Sequence, residues 1–142
     1  MERMWTCVKK IITIIVCSIS FLILSACVSK KKLILPEPER ISVIFLQKSI
    51  SGEIKTISKR EEISALIKEI QKQSKSTTFE SLNDQPTNVK DYIIIKFTHQ
   101  NEEKDSVAYL YTIKEKQYIE QPYVGIWEVS PNIANRIEEA FS

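Results

Sequence analysis

Beyond position 27 the chain contains no cysteine. Cys7, Cys17 and Cys27 are the only three among 142 residues. A disulfide scaffold, a thiolate zinc site and a thiol nucleophile are therefore excluded from the body of the protein. Histidine is scarcer still. His99 stands alone in a charged turn after an apolar run, which removes multi-histidine metal sites and fits a solvated side chain better than a catalyst. The two glycines, Gly52 and Gly125, are too isolated to build a phosphate-cradling loop. With five prolines besides, collagen-like and linker-dominated architectures fail. No serine sits in a nucleophile elbow. The residue inventory thus implies no metal and no cofactor.

A concentrated basic patch is also lacking. The formal charge is +2, but residues 1–26 contribute Arg3, Lys9 and Lys10 against Glu2. From Cys27 onward, 17 basic side chains face 17 acidic ones, and the remainder is close to neutral. Nucleic-acid binding is not indicated. The 43% hydrophobic content suffices for one core, and the length suits one domain behind a targeting segment.

What the N-terminus does contain is an address. Lys9 and Lys10 precede Ile11 to Leu24, fourteen residues without a charge. A transmembrane helix needs about 20 apolar residues, so this run fits the hydrophobic region of a signal peptide. Leu24, Ser25, Ala26 and Cys27 follow in the pattern of a bacterial lipobox. Small side chains at 25 and 26 let a peptidase approach an extended backbone, and the Cys27 thiol can accept a diacylglyceryl group. Similarity to lipoprotein precursors implies cleavage between Ala26 and Cys27. Two palmitate-class chains, with or without a third on the new amino group, would anchor stably on the extracytoplasmic face. Residues 1–26 are thus expected to be a removed signal peptide and 27–38 a lipidated tether. Lys30, Lys31 and Lys32 fit contact with anionic headgroups or a plain soluble spacer.

The body, 39–142, reads as a single α+β domain of order ββα-βββ(β)-α. The expectation is an antiparallel sheet of about five to six strands with two helices packed on it. Ile41 to Leu46 and Glu53 to Ile57 make a hairpin around Ser51-Gly52, with Ile41, Val43 and Phe45 on one face. Ser58 and Glu61 fit a capping box, and Ile63, Leu66, Ile67 and Ile70 recur at helical spacing. Residues 73–91 lose all pattern, and a connection this long is commonly functional or disordered. Tyr92 to Thr98 reads as a central strand, Ser106 to Ile113 as its partner. Tyr118 to Gln121 and Ile126 to Val129 add one or two more, interrupted by Pro122 and Gly125. Ser130-Pro131 opens a final helix bearing Ile133, Ala134, Ile137, Ala140 and Phe141.

Candidate chemistry is sparse. Glu120 with Glu128, or Glu80 with Asp84, supplies the carboxylate pairs that a hydrolase would need, but an acidic complement of this size offers such pairs by chance. Tyr109, Tyr111, Tyr118, Tyr123 and Trp127 crowd the last strands. An exposed aromatic platform would stack on sugars or peptides, whereas Tyr109 and Tyr111, in phase with Val107 and Ile113, read more simply as core.

Two segments carry a family resemblance. Ser81-Leu82-Asn83-Asp84-Gln85-Pro86 followed by Tyr92-Ile93, and Tyr118-Ile119-Glu120-Gln121-Pro122-Tyr123 followed by Gly125-Ile126-Trp127, resemble the DUF5301 family. These are small lipoproteins of Gram-positive Firmicutes carrying a domain of unknown function. The resemblance spans about Leu33 to Val129, with Trp127 standing where tyrosine is expected. It implies exposure outside a single-membrane cell and no known activity or site. Asn83, Asp84, Glu120, Gln121, Tyr123 and Trp127 are then the candidate binding surface, although Asn and Asp beside proline serve turns equally well. The leading expectation is a membrane-anchored module that binds an envelope protein or cell-wall component. The alternatives are an inhibitor or immunity-type protein using the 73–91 loop, and a carboxylate-dependent hydrolase.

Overall fold

Period-two alternation along the strands decides which side of the sheet becomes core. The computed structural model describes residues 31–101 and 104–142. The expected signal peptide, residues 1–26, and the expected lipobox, Leu24 to Cys27, lie outside the described residues. Seven strands form one antiparallel sheet: β1 (Ile41–Lys48), β2 (Ile54–Ile57), β3 (Ser74–Ser76), β4 (Tyr92–His99), β5 (Ser106–Ile113), β6 (Lys116–Gln121) and β7 (Gly125–Val129). Their order across the sheet is β2-β1-β4-β5-β6-β7-β3. Helices α1 (Arg60–Lys72) and α2 (Pro131–Glu139) contribute to a single apolar core. The fold class is α+β as expected. The strand beyond the expected five to six is Ser74–Ser76, which pairs with β7 inside the segment read as patternless. Its polar side chains carry no apolar alternation, because an edge strand gains its register from backbone pairing.

One face of the sheet meets the helices. Ile44 and Leu46 of β1, Ile93, Ile95 and Phe97 of β4, Ala108 and Leu110 of β5, Ile119 of β6, and Trp127 and Val129 of β7 are all buried there. Ile63, Leu66, Ile67 and Ile70 of α1 and Ile133, Ala134 and Ile137 of α2 close over them. Burial of one such side chain is worth about 1.5–3 kcal/mol, so these two stripes supply most of the force that holds the helices down. Ile41 belongs to this same face, not to that of Val43 and Phe45. A bulge between Ile41 and Val43 adds one residue and reverses the phase.

Three local readings need correction. Helix α1 opens at Arg60 with Lys59 as its N-cap and no side-chain cap, so the Ser58/Glu61 capping box does not form. Lys59 instead pairs with Glu62 at 3.0 Å. Ser130 does precede Pro131 at the start of α2, but its hydroxyl turns to Gln73 rather than to the helix. The packed body also begins before Glu39. Leu33 and Leu35 are buried in the core. Trp127 Nε1 donates to the Lys31 carbonyl at 2.9 Å, and Gln121 Nε2 donates to the Ile34 carbonyl at 2.6 Å. Residues 31–35 therefore form a strap across β6 and β7, and a single 3-10 turn (Pro38–Arg40) leads from it into β1.

Gly125 exists for Trp127. A methyl group at position 125 would sit 3.1 Å from the indole ring, which is itself 2% exposed and has nowhere to retreat. Gly125→Ala is expected to cost about 1–3 kcal/mol of stability through overpacking. The urea midpoint should fall with an unchanged slope. A variant as stable as the parent would show that the indole can shift and that the strap does not depend on its placement.

Candidate functional site

Among the described residues, no helix covers the other face of β4–β7. It presents Tyr92 and Ile94 of β4, Tyr109 and Tyr111 of β5, Tyr118 and Glu120 of β6, and Ile126 and Glu128 of β7. Residues 77–91 fold back over the β5–β7 part of this face. Thr77 starts the segment by donating through Oγ1 to the Ile126 carbonyl at 2.6 Å, prolonging the β3–β7 pairing by one residue. At the far end Ser49 Oγ donates to the Lys90 carbonyl at 3.0 Å and accepts from Tyr92 N at 2.9 Å. A long polar connection is thus tied down at both ends by hydroxyl groups, which hydrophobic periodicity cannot reveal.

Its middle is fastened through one carboxylate. Ser81 Oγ donates to Glu120 Oε1 at 2.6 Å, and Tyr111 OH donates to Glu120 Oε2 at 2.9 Å. Ser81 and Glu120 are 5% and 6% exposed. Burial, then the hydrogen bond to Glu120, raises the Tyr111 phenol well above its ordinary value, so it stays a donor. Each such bond to a charged group is worth about 1.5–3 kcal/mol, enough to offset much of the several kcal/mol that desolvating a carboxylate costs. Phe79 packs edge-on to Tyr118, centroids 6.2 Å apart, and Tyr118 lies 6.0 Å from Tyr111. At the rim Tyr123 OH donates to Asp84 Oδ1 at 2.9 Å, a bond that raises the Tyr123 phenol.

Between segment and sheet lies a cavity of about 600 Å³. Phe79, Leu82, Asn83, Pro86 and Val89 form its roof, and Tyr111, Tyr118, Glu120 and Ile126 its floor. Ile113, Lys114 and Lys116 close one end. Its mainly apolar walls, a few convergent polar groups and its size are those of a small-molecule site. The three non-glycine residues with left-handed backbone among the described residues all border this region. Lys114 (φ 48°) and Glu115 (φ 67°) make the β5–β6 turn, and Tyr123 (φ 61°) makes the β6–β7 turn. These are the φ values that two- and three-residue hairpin loops require, so they follow from the tight strand connections.

The six sequence candidates divide between the two sides of the sheet. Asn83 and Glu120 line the cavity, and Asp84 and Tyr123 pair at its rim. Gln121 and Trp127 alternate onto the helix side, where they hold the strap, so neither belongs to this surface. Tyr111 was expected to pack with Val107 and Ile113 as core. It is buried, but under residues 77–91, and Ile113 is exposed at the cavity mouth. Ser81 and Leu82 lie in the Ser81–Pro86 segment and Phe79 in the 73–91 stretch, so the sequence marks their region but not their roles, and nothing in it marks Lys114. Of the carboxylate pairs, Glu128 is held by Lys116 at 3.0 Å and Glu80 lines the cavity. His99, the last residue of β4, lies 2.8 Å from Ser106 Oγ through Nε2. Among the described residues no cluster of three or more metal-ligating side chains occurs, and no helix is long and apolar enough to cross a membrane.

The Tyr111–Glu120 bond has a pH signature. The folded phenol keeps its proton above the ordinary value of 10.0, so its stabilising contribution is complete below that value and is lost as pH rises toward the folded one. Tyr111→Phe should cost about 1–3 kcal/mol near neutrality by leaving one Glu120 oxygen without its donor. It should also lose stability less steeply than the parent above about pH 10. Urea unfolding across that range checks both, and parallel curves for the two proteins would contradict the buried bond.

Comparison with known proteins agrees with the architecture. No curated protein shows significant similarity. The solved NMR structure of a protein from Ruminococcus gnavus is similar, with a TM-score of 0.58 and 25% identity, covering 71% of this chain and 97% of that one. The DUF5301 family model, described as a domain of unknown function (DUF5300), matches residues 29–128, which include the strap, both motif segments and the cavity floor. This chain belongs to the DUF5301 family.

Proposed function

We propose that the protein is a lipid-anchored binding module of the cell envelope, held by acyl chains on Cys27 and working through the cavity under residues 77–91. The observation that carries the binding half is the cavity itself: a long polar segment is built over an aromatic floor and encloses about 600 Å³ instead of packing flat. Interiors are otherwise packed to near-crystalline density, so a space of this size beside a buried carboxylate is best understood as built for an occupant. The anchoring half is supported by the charged start, the fourteen-residue apolar run and the lipobox in register. An envelope component, protein or small molecule, is the occupant that this address would bring within reach. The inhibitor alternative gains nothing from the geometry, since residues 77–91 are tied onto the sheet by Ser81, Asp84 and Thr77 rather than presented as a wedge.

Two measurements test the halves separately. Cells grown with an alkyne fatty acid should label the parent protein, and Cys27→Ala should lose both the label and the processed membrane-bound form. Retention of both by the variant would sink the anchor. For the cavity, a photo-crosslinking amino acid at Asn88, on the lining, should capture an envelope component in living cells. The same probe at the exposed Gln71 of α1 should not. Equal capture at both positions, or none at Asn88, would refute the cavity as the working surface.

A further inference from the structure

Among the charged groups around the cavity, only Glu120 is buried with no cation to meet it. Its two oxygens accept from the Ser81 and Tyr111 hydroxyls, at 2.6 Å and 2.9 Å, and from no lysine or arginine among the described residues. Two lysines stand nearby, and neither reaches it. Lys116 is bound to Glu128 at 3.0 Å, and that bond raises its ammonium above the ordinary value. Lys114 sits exposed at the β5–β6 turn, on the cavity lining. The Glu120 carboxylate at the floor is therefore met by hydroxyl donors alone. A buried carboxylate is normally paired with a cation, because hydroxyl donors orient it without neutralising it.

Each carboxylate oxygen still has a lone pair beyond the one its hydroxyl occupies. Around it stand the rings of Tyr111, Tyr118 and Phe79 and the side chains of Leu82 and Ile126. From this arrangement, and resting on the binding reading above, we infer that the cavity takes a small amphipathic cation. Its ammonium group would reach the Glu120 carboxylate, and its apolar or aromatic body would lie between the aromatic floor and the 77–91 roof. Three features assign these roles. Glu120 is fixed by Ser81 and Tyr111, so it needs no rearrangement to receive a charge-assisted bond. Tyrosine and phenylalanine faces attract cations. The mainly apolar walls reject a fully hydrated ion and favour a ligand with an apolar body.

The test uses three probes of nearly equal shape: phenethylamine, phenethyl alcohol and phenylacetate. Each is titrated into the 27–142 chain bearing Cys27→Ser, and amide resonances are followed by NMR. The amine should shift Leu82, Asn83, Tyr111 and Glu120 and bind at least roughly tenfold more tightly than the alcohol, with phenylacetate the weakest. Raising the salt should narrow that gap only slightly, because a buried pair is poorly screened. In Glu120→Gln, whose fold is checked by the same spectrum, amine and alcohol should bind alike. If Glu120→Gln does not fold, the amine-to-alcohol ratio in the parent still decides. Equal binding of amine and alcohol at the cavity overturns the cationic ligand while leaving the cavity a binding site. Amine shifts confined to other surfaces, or absent, overturn the inference, and the Asn88 crosslink then decides the binding reading independently.

Discussion

The Glu120 carboxylate, fixed between the Ser81 and Tyr111 hydroxyls, is the contact on which the outer side of this domain depends. It joins the 77–91 segment to the β5–β6 hairpin, with 39 positions between Ser81 and Glu120. That segment has few apolar side chains to bury, and Leu82 and Phe79 remain largely exposed. Hydrophobic burial therefore cannot be what holds it. Hydroxyl bonds do so instead, at Thr77, Ser81 and Ser49, together with the Tyr123–Asp84 pair. A roof held by polar pins over an apolar floor leaves space beneath it, because no side-chain stripe drives it into close packing.

The same two strands also organise the opposite side. Along β6 and β7, Ile119, Gln121, Trp127 and Val129 point to the helices, while Tyr118, Glu120, Ile126 and Glu128 point to the cavity. The first set binds the N-terminal strap through the Gln121 amide and the Trp127 indole. The second builds the floor. The Glu120-Gln121 dipeptide thus performs two unrelated tasks by sending neighbouring side chains to opposite faces. Gly125 is constrained from the helix side by the indole, and Tyr123 takes up a left-handed backbone to turn the chain between the two strands. Pro122, Tyr123 and Gly125 belong to the geometry of one tight connection.

Legibility tracks the range of the interactions. The α1 stripe of Ile63, Leu66, Ile67 and Ile70 could be read because helical periodicity is local and hydrophobic burial follows it directly. The capping box at Ser58 could not be trusted, because the helix begins two residues later and a cap depends on where the preceding strand delivers the chain. Ile41 was placed on the wrong face because a one-residue bulge reverses strand phase without leaving a mark in composition. Glu120 and Asn83 were singled out through their motif segments. Gln121 and Trp127 came with them, since a motif records which residues matter and not which side of a sheet they serve. Ser81 and Tyr111 acquire their meaning only from each other and from Glu120.

By itself the sequence determined the α+β class, the two amphipathic helices and the interior strands, because each rests on periodicity within a dozen residues. It also determined what chemistry the body cannot perform with cysteine or clustered histidine, because absence of a residue type needs no structure to interpret. The family could likewise be recognised from two short segments. Tertiary structure alone decided that residues 31–35 are a strap, that Ser74–Ser76 is an edge strand, and that the polar stretch after it roofs a cavity. Each of these depends on hydrogen bonds between positions 39 to 96 residues apart. Such pairings carry no local periodicity. They exist only once the sheet has brought β6 and β7 beneath both ends of the chain's polar segments.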